Sequence, residues 1–143
     1  MAACGTAEVE LPTVEVAVDE RAACESLVAD LPTQIGDRER VPVVPVDGLG
    51  AAWGDPAIVM TCGGIPPEIS RTAQCQEVNG VGWYVEPAEV ADSALDLTLV
   101  AVGYRPIVTL IVPADERPEG ATAAMAELAV SVEANAELVQ PCL

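Results

Sequence analysis

The sequence predicts an α+β fold in which an antiparallel meander sheet of about five strands carries an N-terminal and a C-terminal helix on one face. Apolar residues recur at helical spacing near both ends of the chain, whereas strand-length apolar segments fill its middle. Short turns join those segments, and short connections favour antiparallel pairing. With 143 residues, 51% of them hydrophobic, the chain is sized for one domain with its own core.

Two helices are predicted from capping residues and apolar stripes. The first begins at Asp19, a good N-capping residue, and ends before Pro32, because proline disfavours helix in the residue ahead of it. The second covers residues 119–139, where Met125 and Leu128 belong to an apolar stripe. Both are expected to cover the same face of the sheet.

The strands are predicted from short apolar segments bounded by turn residues. Asn79-Gly80 is the strongest hairpin signal in the chain. Pro42 and Pro45 restrict residues 41–46 to an edge strand, since proline cannot donate to a central ladder. The predicted strand segments are residues 51–53, 57–62, 75–78, 81–86, 95–102 and 107–112.

The chain has five cysteines, an odd number that leaves one over after pairing. Its first residues, Met1-Ala2-Ala3-Cys4-Gly5, match the end of a bacterial lipoprotein signal. Cys4 is therefore predicted to be lipidated, within a signal whose front precedes Met1; the alternative is an ordinary cysteine in a frayed terminus. A lipidated Cys4 leaves an even set of four cysteines for two disulfides, with three possible connectivities.

The favoured connectivity pairs Cys62 with Cys75 and Cys24 with Cys142. Cys62 ends one predicted strand and Cys75 begins the next. Cys24 lies in the first predicted helix, and Cys142 follows the second. The rival interpretation is a zinc site, but the cysteines are far apart in sequence and the chain has no histidine. No metal and no cofactor are therefore predicted.

Charge and organisation place further limits on function. Residues 1–18, rich in glutamate, are predicted to be a lipobox remnant and an acidic tether, followed by a single extracytoplasmic domain over residues 19–143. The net charge of −17 repels phosphate backbones and anionic lipid. Nucleic-acid binding is therefore not expected, and membrane contact is predicted only through the N-terminal anchor.

The residue types needed for most catalytic sites are missing. Without histidine or lysine, the usual general base and the Ser-His-Asp, Cys-His and Ser-Lys arrangements are unavailable. Paired carboxylates, as in a hydrolase, are the arrangement that composition permits. The candidates are Glu86, Glu89 and Asp92, and Asp115, Glu116 and Glu119. Solvated acids at loops and helix starts are the simpler explanation, so the chain is predicted to be non-catalytic.

Aromatic residues beside turns point to a possible ligand site. Tyrosine and tryptophan near arginine are typical of binding surfaces. The candidate binding residues are Trp53, Arg71, Tyr84, Tyr104 and Arg105. The alternative is that the two tryptophans fill the core, which the apolar alternation around Trp83 favours for that residue.

Several of these motifs together resemble a known family of exported proteins. They are Cys24, Leu31-Pro32, Ala52-Trp53-Gly54-Asp55-Pro56, Cys62-Gly63, Cys75, Val78-Asn79-Gly80-Val81 with Trp83, and Arg105-Pro106. The chain looks like an actinobacterial family catalogued only as domain of unknown function 3515, from about Ala23 to the last helix. The resemblance implies membrane attachment through an N-terminal segment, an extracytoplasmic domain and no assigned activity, so no catalytic residue is carried over.

These observations predict a non-catalytic, lipoprotein-like module of the cell envelope that binds another envelope protein or a cell-wall component. A small-ligand or glycan binder using the turn-proximal aromatic residues and arginines is the alternative, and a carboxylate-based hydrolase is a third possibility. The sequence leaves open the identity of the partner, the oligomeric state and whether attachment is through lipid or a membrane helix.

Overall fold

The computed structural model of the chain describes residues 8–68 and 75–140. Its helices in these ranges are α1 (Arg21–Ala29), α2 (Pro87–Ala91) and α3 (Glu119–Asn135). Its strands are β1 (Val9–Glu10), β2 (Gln34–Ile35), β3 (Arg38–Val41), β4 (Val43–Val44), β5 (Gly50–Trp53), β6 (Ile58–Cys62), β7 (Cys75–Val78), β8 (Val81–Val85), β9 (Leu97–Ala101), β10 (Tyr104–Arg105), β11 (Val108–Val112) and β12 (Glu137–Leu138).

Eight strands form the main sheet, in the order β2-β3-β5-β6-β11-β9-β8-β7, and all its pairings are antiparallel. The predicted antiparallel sheet is thus confirmed, but a single meander of about five strands is not. The chain makes two meanders of four strands each. The last strand of the second, β11, returns to the centre and pairs with β6, the last strand of the first.

The predicted local elements are largely confirmed. The Asn79-Gly80 turn joins β7 to β8, with positive φ at both residues as a type I′ hairpin requires. Helix α1 follows a 3₁₀ turn at Val18–Glu20, so Asp19 lies inside that turn instead of capping the helix. Helix α3 ends at Asn135, earlier than predicted, because the chain then extends into β12, which pairs with β10.

One face of the sheet, called the inner face here, is covered by α1 and α3. Its side chains join those of both helices in one buried cluster. The largest fully buried members contributed by the sheet and α3 are Ile35, Trp53, Ile58, Met60, Trp83, Leu99, Leu110 and Leu128. Burial of both tryptophans shows that the scarce aromatic side chains fill the core. The Trp53 indole also donates a hydrogen bond of 3.0 Å to the Pro32 carbonyl.

The disulfide predictions need correction. Cys24 in α1 is bonded to Cys62 at the end of β6, with their Cα atoms 5.6 Å apart, so the predicted pairs of Cys24 with Cys142 and Cys62 with Cys75 are wrong. The physical reason is that α1 packs across the inner face at β6 and brings Cys24 above the strand end. Cys75 is itself disulfide-bonded and not a free thiol. Cys4 and Cys142 lie outside the described residues, as does Arg71.

Residues 9–16, which the sequence assigned to a tether, pack against the domain and are called the N-terminal strap here. Strand β1 pairs with β4 in parallel, and Leu11 is buried. Glycines make room for the strap: a β-carbon on Gly63, whose φ is +112°, would lie 2.7 Å from Val16 Cγ2. The described part of the segment assigned to the tether is therefore packed on the sheet.

Candidate functional site

The face of the sheet opposite α1 and α3 carries a set of uncharged residues that lies outside the core cluster. Paired residues in neighbouring strands point to the same side, and side chains alternate between sides along each strand. The register therefore places one set of residues together on this side, and none of them belongs to the helix-covered core cluster. They are Gly50, Ala52, Val59, Thr61, Gly82, Tyr84, Thr98, Val100, Thr109 and Ile111, called the outer face here.

The outer face contains no charged residue, although the whole chain has 23 acidic residues. Val59, Thr98, Val100, Thr109 and Ile111 are each only half-buried, so their β-branched side chains remain accessible. Acidic residues flank the face. The alternation puts Glu39 on the same side in β3 and Glu77 in β7, and both are exposed. Glu86 stands at the end of β8, where its carboxylate accepts a hydrogen bond of 2.8 Å from the Tyr84 hydroxyl.

A second feature is a cleft where the N-terminal strap crosses the sheet. It is half open, has a volume of about 260 Å³, and lies between the strap, the loop before β5 and the end of β6. Leu11 packs over Gly50 at its floor, and Arg21 and Asp47 are the charged residues in its lining. The buried Thr61 side chain also lines it, and its hydroxyl makes no hydrogen bond with the described residues.

The aromatic and arginine residues predicted to form a ligand site do not come together. Trp53 is fully buried on the inner face, and the Arg40 guanidinium lies 5.9 Å from its ring centroid. Tyr84 lies on the outer face, and three strands separate its strand from that of Trp53 in the sheet order. Tyr104 is buried beside the C-terminal strand, and Arg105 next to it is exposed. None of these four lines the cleft.

Both tyrosines are held in the protonated state by their surroundings. The hydrogen bond to Glu86 is the largest cause that raises the pKa of Tyr84 above its usual value of 10.0, and burial and the charges of Glu86 and Glu89 add to it. For Tyr104, burial raises the pKa most, followed by the charges of Glu133 and Glu77. Neither tyrosine is poised to act as an anion near neutral pH.

The two carboxylate clusters proposed from the sequence have structural partners. Glu116 accepts hydrogen bonds of 2.8 and 2.6 Å from Arg38, and Asp115 and Glu119 are exposed. Glu89 accepts the Thr98 backbone N–H at 2.8 Å. Asp92 accepts the Ala94 backbone N–H at 3.0 Å. Among the described residues, no group of three or more cysteine, aspartate or glutamate side chains is arranged to hold a metal ion.

Sequence reasoning missed the outer face as a unit. The alternation of valine and threonine with buried leucine in β9 and β11 was visible, but which strands lie side by side was not. A usable signal was present, because the outward positions of these strands lack acids in a chain where acids are common.

No helix in the described ranges is both long and apolar enough to cross a bilayer. A family model described as "Protein of unknown function (DUF3515)" matches residues 1–140. No curated protein and no solved structure matches the chain.

Proposed function

This chain belongs to the DUF3515 family, and we propose that it is a non-catalytic, extracytoplasmic domain of the cell envelope that binds another envelope protein or a cell-wall component. The proposal joins three properties. They are a core built around a disulfide, a surface without a catalytic constellation in the described ranges, and a sheet face free of charge. Each has its own physical support.

The Cys24–Cys62 disulfide is the observation that carries the proposal. Both cysteines are fully buried in the core, where they link α1 to β6 across a sequence separation of 38 residues. Buried disulfides form and persist in oxidising compartments and are rare in a reducing cytosol. A domain with such a bond in its core is best suited to work outside the cytoplasm.

Binding explains the described surface better than catalysis does. The candidate carboxylates are engaged with Arg38 or backbone amides, or are exposed. Glu116 shares a cleft with Glu39 and Asp55, but this cleft is open to solvent and the Glu116 carboxylate is already bonded to Arg38, so it is unlike the two free acids of a hydrolase site. An accessible surface without charge on a strongly acidic protein is instead typical of interface cores, which are depleted in charged residues.

Attachment through lipid at Cys4 remains part of the proposal. The strap supports it indirectly, because β1 at Val9–Glu10 is part of the domain and is close in sequence to Cys4, so a lipid on Cys4 would hold the domain close to the bilayer. One acyl anchor alone binds membranes weakly, so a diacylglycerol group, with two chains, is the modification we expect.

The test is a non-reducing peptide map with intact mass, made on protein expressed with its native upstream region and separated into membrane and soluble fractions. We expect a Cys24–Cys62 linked peptide, a diacylglycerol group on Cys4 and recovery with the membrane. A Cys4→Ala variant should be lost from the membrane fraction. The control variant Ser131→Ala, which keeps Cys4, should remain in that fraction. Free thiols at Cys24 and Cys62 in freshly isolated protein would rule the proposal out.

The cleft favours a second candidate, a small polar ligand held by Thr61 and Arg21. Its volume of about 260 Å³ lies below the roughly 300–1,000 Å³ of most ligand sites, which is why binding of a macromolecule ranks first. Amide chemical shifts recorded with cell-wall amino acids and amino sugars test it. Shifts at Leu49 and Thr61 that Thr61→Val abolishes would support it, and unchanged spectra would exclude these ligands.

A further inference from the structure

We propose that the outer face is the docking surface of this domain, and that its partner is a protein with an uncharged, flat centre surrounded by lysine and arginine. This inference rests on the proposed function, because it assigns a surface and a partner chemistry to the binding role. The argument follows from the packing, the charge and the size of the face.

The long helices do not cover this side of the sheet, and its middle strands β6, β11 and β9 keep partly exposed side chains, whereas its positions in β5 and β8 are buried. Both long helices lie on the inner face, where Leu110 is fully buried. The next residue in β11, Ile111, points the other way and is only half-buried, as is Val100 in β9. Apolar β-branched side chains at the centre of a sheet are normally covered, and their partial exposure marks an interaction surface.

The charge distribution limits the kinds of partner that can bind this face. The centre of the face has no charge, and Glu39, Glu77 and Glu86 stand around it. Interface cores are depleted in charge and their rims are polar. An acidic rim is complemented by a basic one, which also steers association and excludes wrong partners. A second copy would oppose like rims on two chains of net charge −17 each, so a different protein is favoured.

The size of the face agrees with a partner that also contacts the rim. The partly exposed residues lie in three strands, β6, β11 and β9, which at a spacing of about 4.8 Å make a strip roughly 10 Å across and at most two outward residues long. Such a strip is smaller than the roughly 800 Å² that one partner contributes to a stable interface. The acidic residues must therefore be contacted as well. A continuous sheet face also favours a protein over a sugar, which is usually held in a concave site.

The test uses a photo-crosslinking amino acid placed at Thr109, in the centre of the outer face, in cells that make the full chain with its native upstream region. Val130, which is 75% exposed on α3, is the control position. We expect a protein adduct from position 109 and none from position 130. The crosslinked peptide of the partner should carry a net positive charge.

Two pairs of substitutions test whether the outer face and its acidic rim make the contact. Ile111→Glu should abolish the adduct at position 109, and Val130→Glu, which adds the same charge elsewhere, should leave it unchanged. Glu77→Lys should reduce the adduct several-fold, whereas Glu119→Lys should not. Because Glu77 is exposed, its variant keeps the test valid if Ile111→Glu fails to fold.

The possible results separate this inference from the proposed function. Equal adducts at positions 109 and 130, an adduct with a second copy, a polysaccharide adduct, or no adduct would each overturn the inference. The proposed compartment is tested independently by mapping Cys24 and Cys62 in the same cells. An oxidised, membrane-recovered domain without the position-specific adduct refutes the docking surface alone.

Discussion

On the inner face of the sheet Trp83 and Leu110 are fully buried beneath the long helices, whereas on the outer face Val100 and Ile111 keep part of their surface in solvent. Both faces are built from similar apolar, β-rich segments. The inner face is joined to a helix by a disulfide and carries the stability of the fold. The outer face has no such covering from the long helices, and it is the surface that we propose for recognition.

The largest loss of stability should follow removal of the disulfide that joins α1 to the inner face of the sheet. The chain-entropy relation for a loop of this length gives a loss of about 4 kcal/mol in the free energy of unfolding for Cys24→Ala with Cys62→Ala. Both cysteines are changed together, because one free thiol could attack the disulfide of Cys75. Urea denaturation measures the loss. A change below about 1 kcal/mol would show that the helix is held to the sheet by packing alone.

Two neighbouring residues of β11 compare the faces directly. Leu110→Ala should lower the free energy of unfolding by about 3 kcal/mol, since it leaves a cavity in the dense inner core. Ile111→Ala, on the outer face, should cost about 1 kcal/mol. Urea denaturation of both variants provides the comparison. Equal losses would mean that the outer face is packed as tightly as the inner one, against the proposed docking surface.

The ion pair between Arg38 and Glu116 offers a smaller test, because the two side chains are 17% and 20% exposed. Glu116→Gln should lower the free energy of unfolding by about 2 kcal/mol, as expected when hydrogen bonds to a charged group are weakened. Glu25→Gln breaks the exposed pair with Arg21 and should cost no more than about 0.5 kcal/mol. If both substitutions lower the free energy of unfolding by the same amount, the partial burial of Arg38 contributes nothing to the strength of its ion pair.

The smallest expected effect is a loss of stability at alkaline pH. The pKa of Tyr104 is raised in the fold, mainly by burial, so the folded state keeps a proton that the unfolded state loses above pH 10.0. Stability from this group is complete below that pH and declines as pH rises towards the folded pKa. Tyr104→Phe should flatten the decline, which urea midpoints between pH 9 and pH 11 would detect.

The pKa of Tyr84 can be measured in the same way on the outer face. Its pKa is raised chiefly by its hydrogen bond to Glu86. Absorbance at 295 nm should show both tyrosines ionising above their usual range, with Glu86→Gln lowering the transition of Tyr84 alone. A normal transition for Tyr84 in the unchanged protein would show that this hydrogen bond is absent in solution.

Local features of the fold could be predicted because their causes are local. Asn79-Gly80 turns the chain wherever it occurs, and the spacing of Met125 and Leu128 marks the inner stripe of α3. The inward position of Trp83 also follows from alternation alone.

Errors arose where distant segments meet. The partner of Cys24 depends on where α1 crosses the sheet, and a helix position is compatible with several strands. The burial of Leu11 in the strap depends on space above Gly48 and Gly50, which only the folded sheet creates. For the candidate site, the separation of Tyr84 from Trp53 and Tyr104 depends on the strand order, which the sequence does not show.

By itself the sequence determined an antiparallel sheet with helices from both ends of the chain and a strongly acidic surface, because periodicity, turn chemistry and charge are properties of neighbouring residues. Only the tertiary structure decided that β11 returns to β6, that Cys24 meets Cys62 and that the uncharged positions of five strands form one surface. Those outcomes depend on which distant segments pack together, and many pairings satisfy the same local pattern until the whole core is assembled.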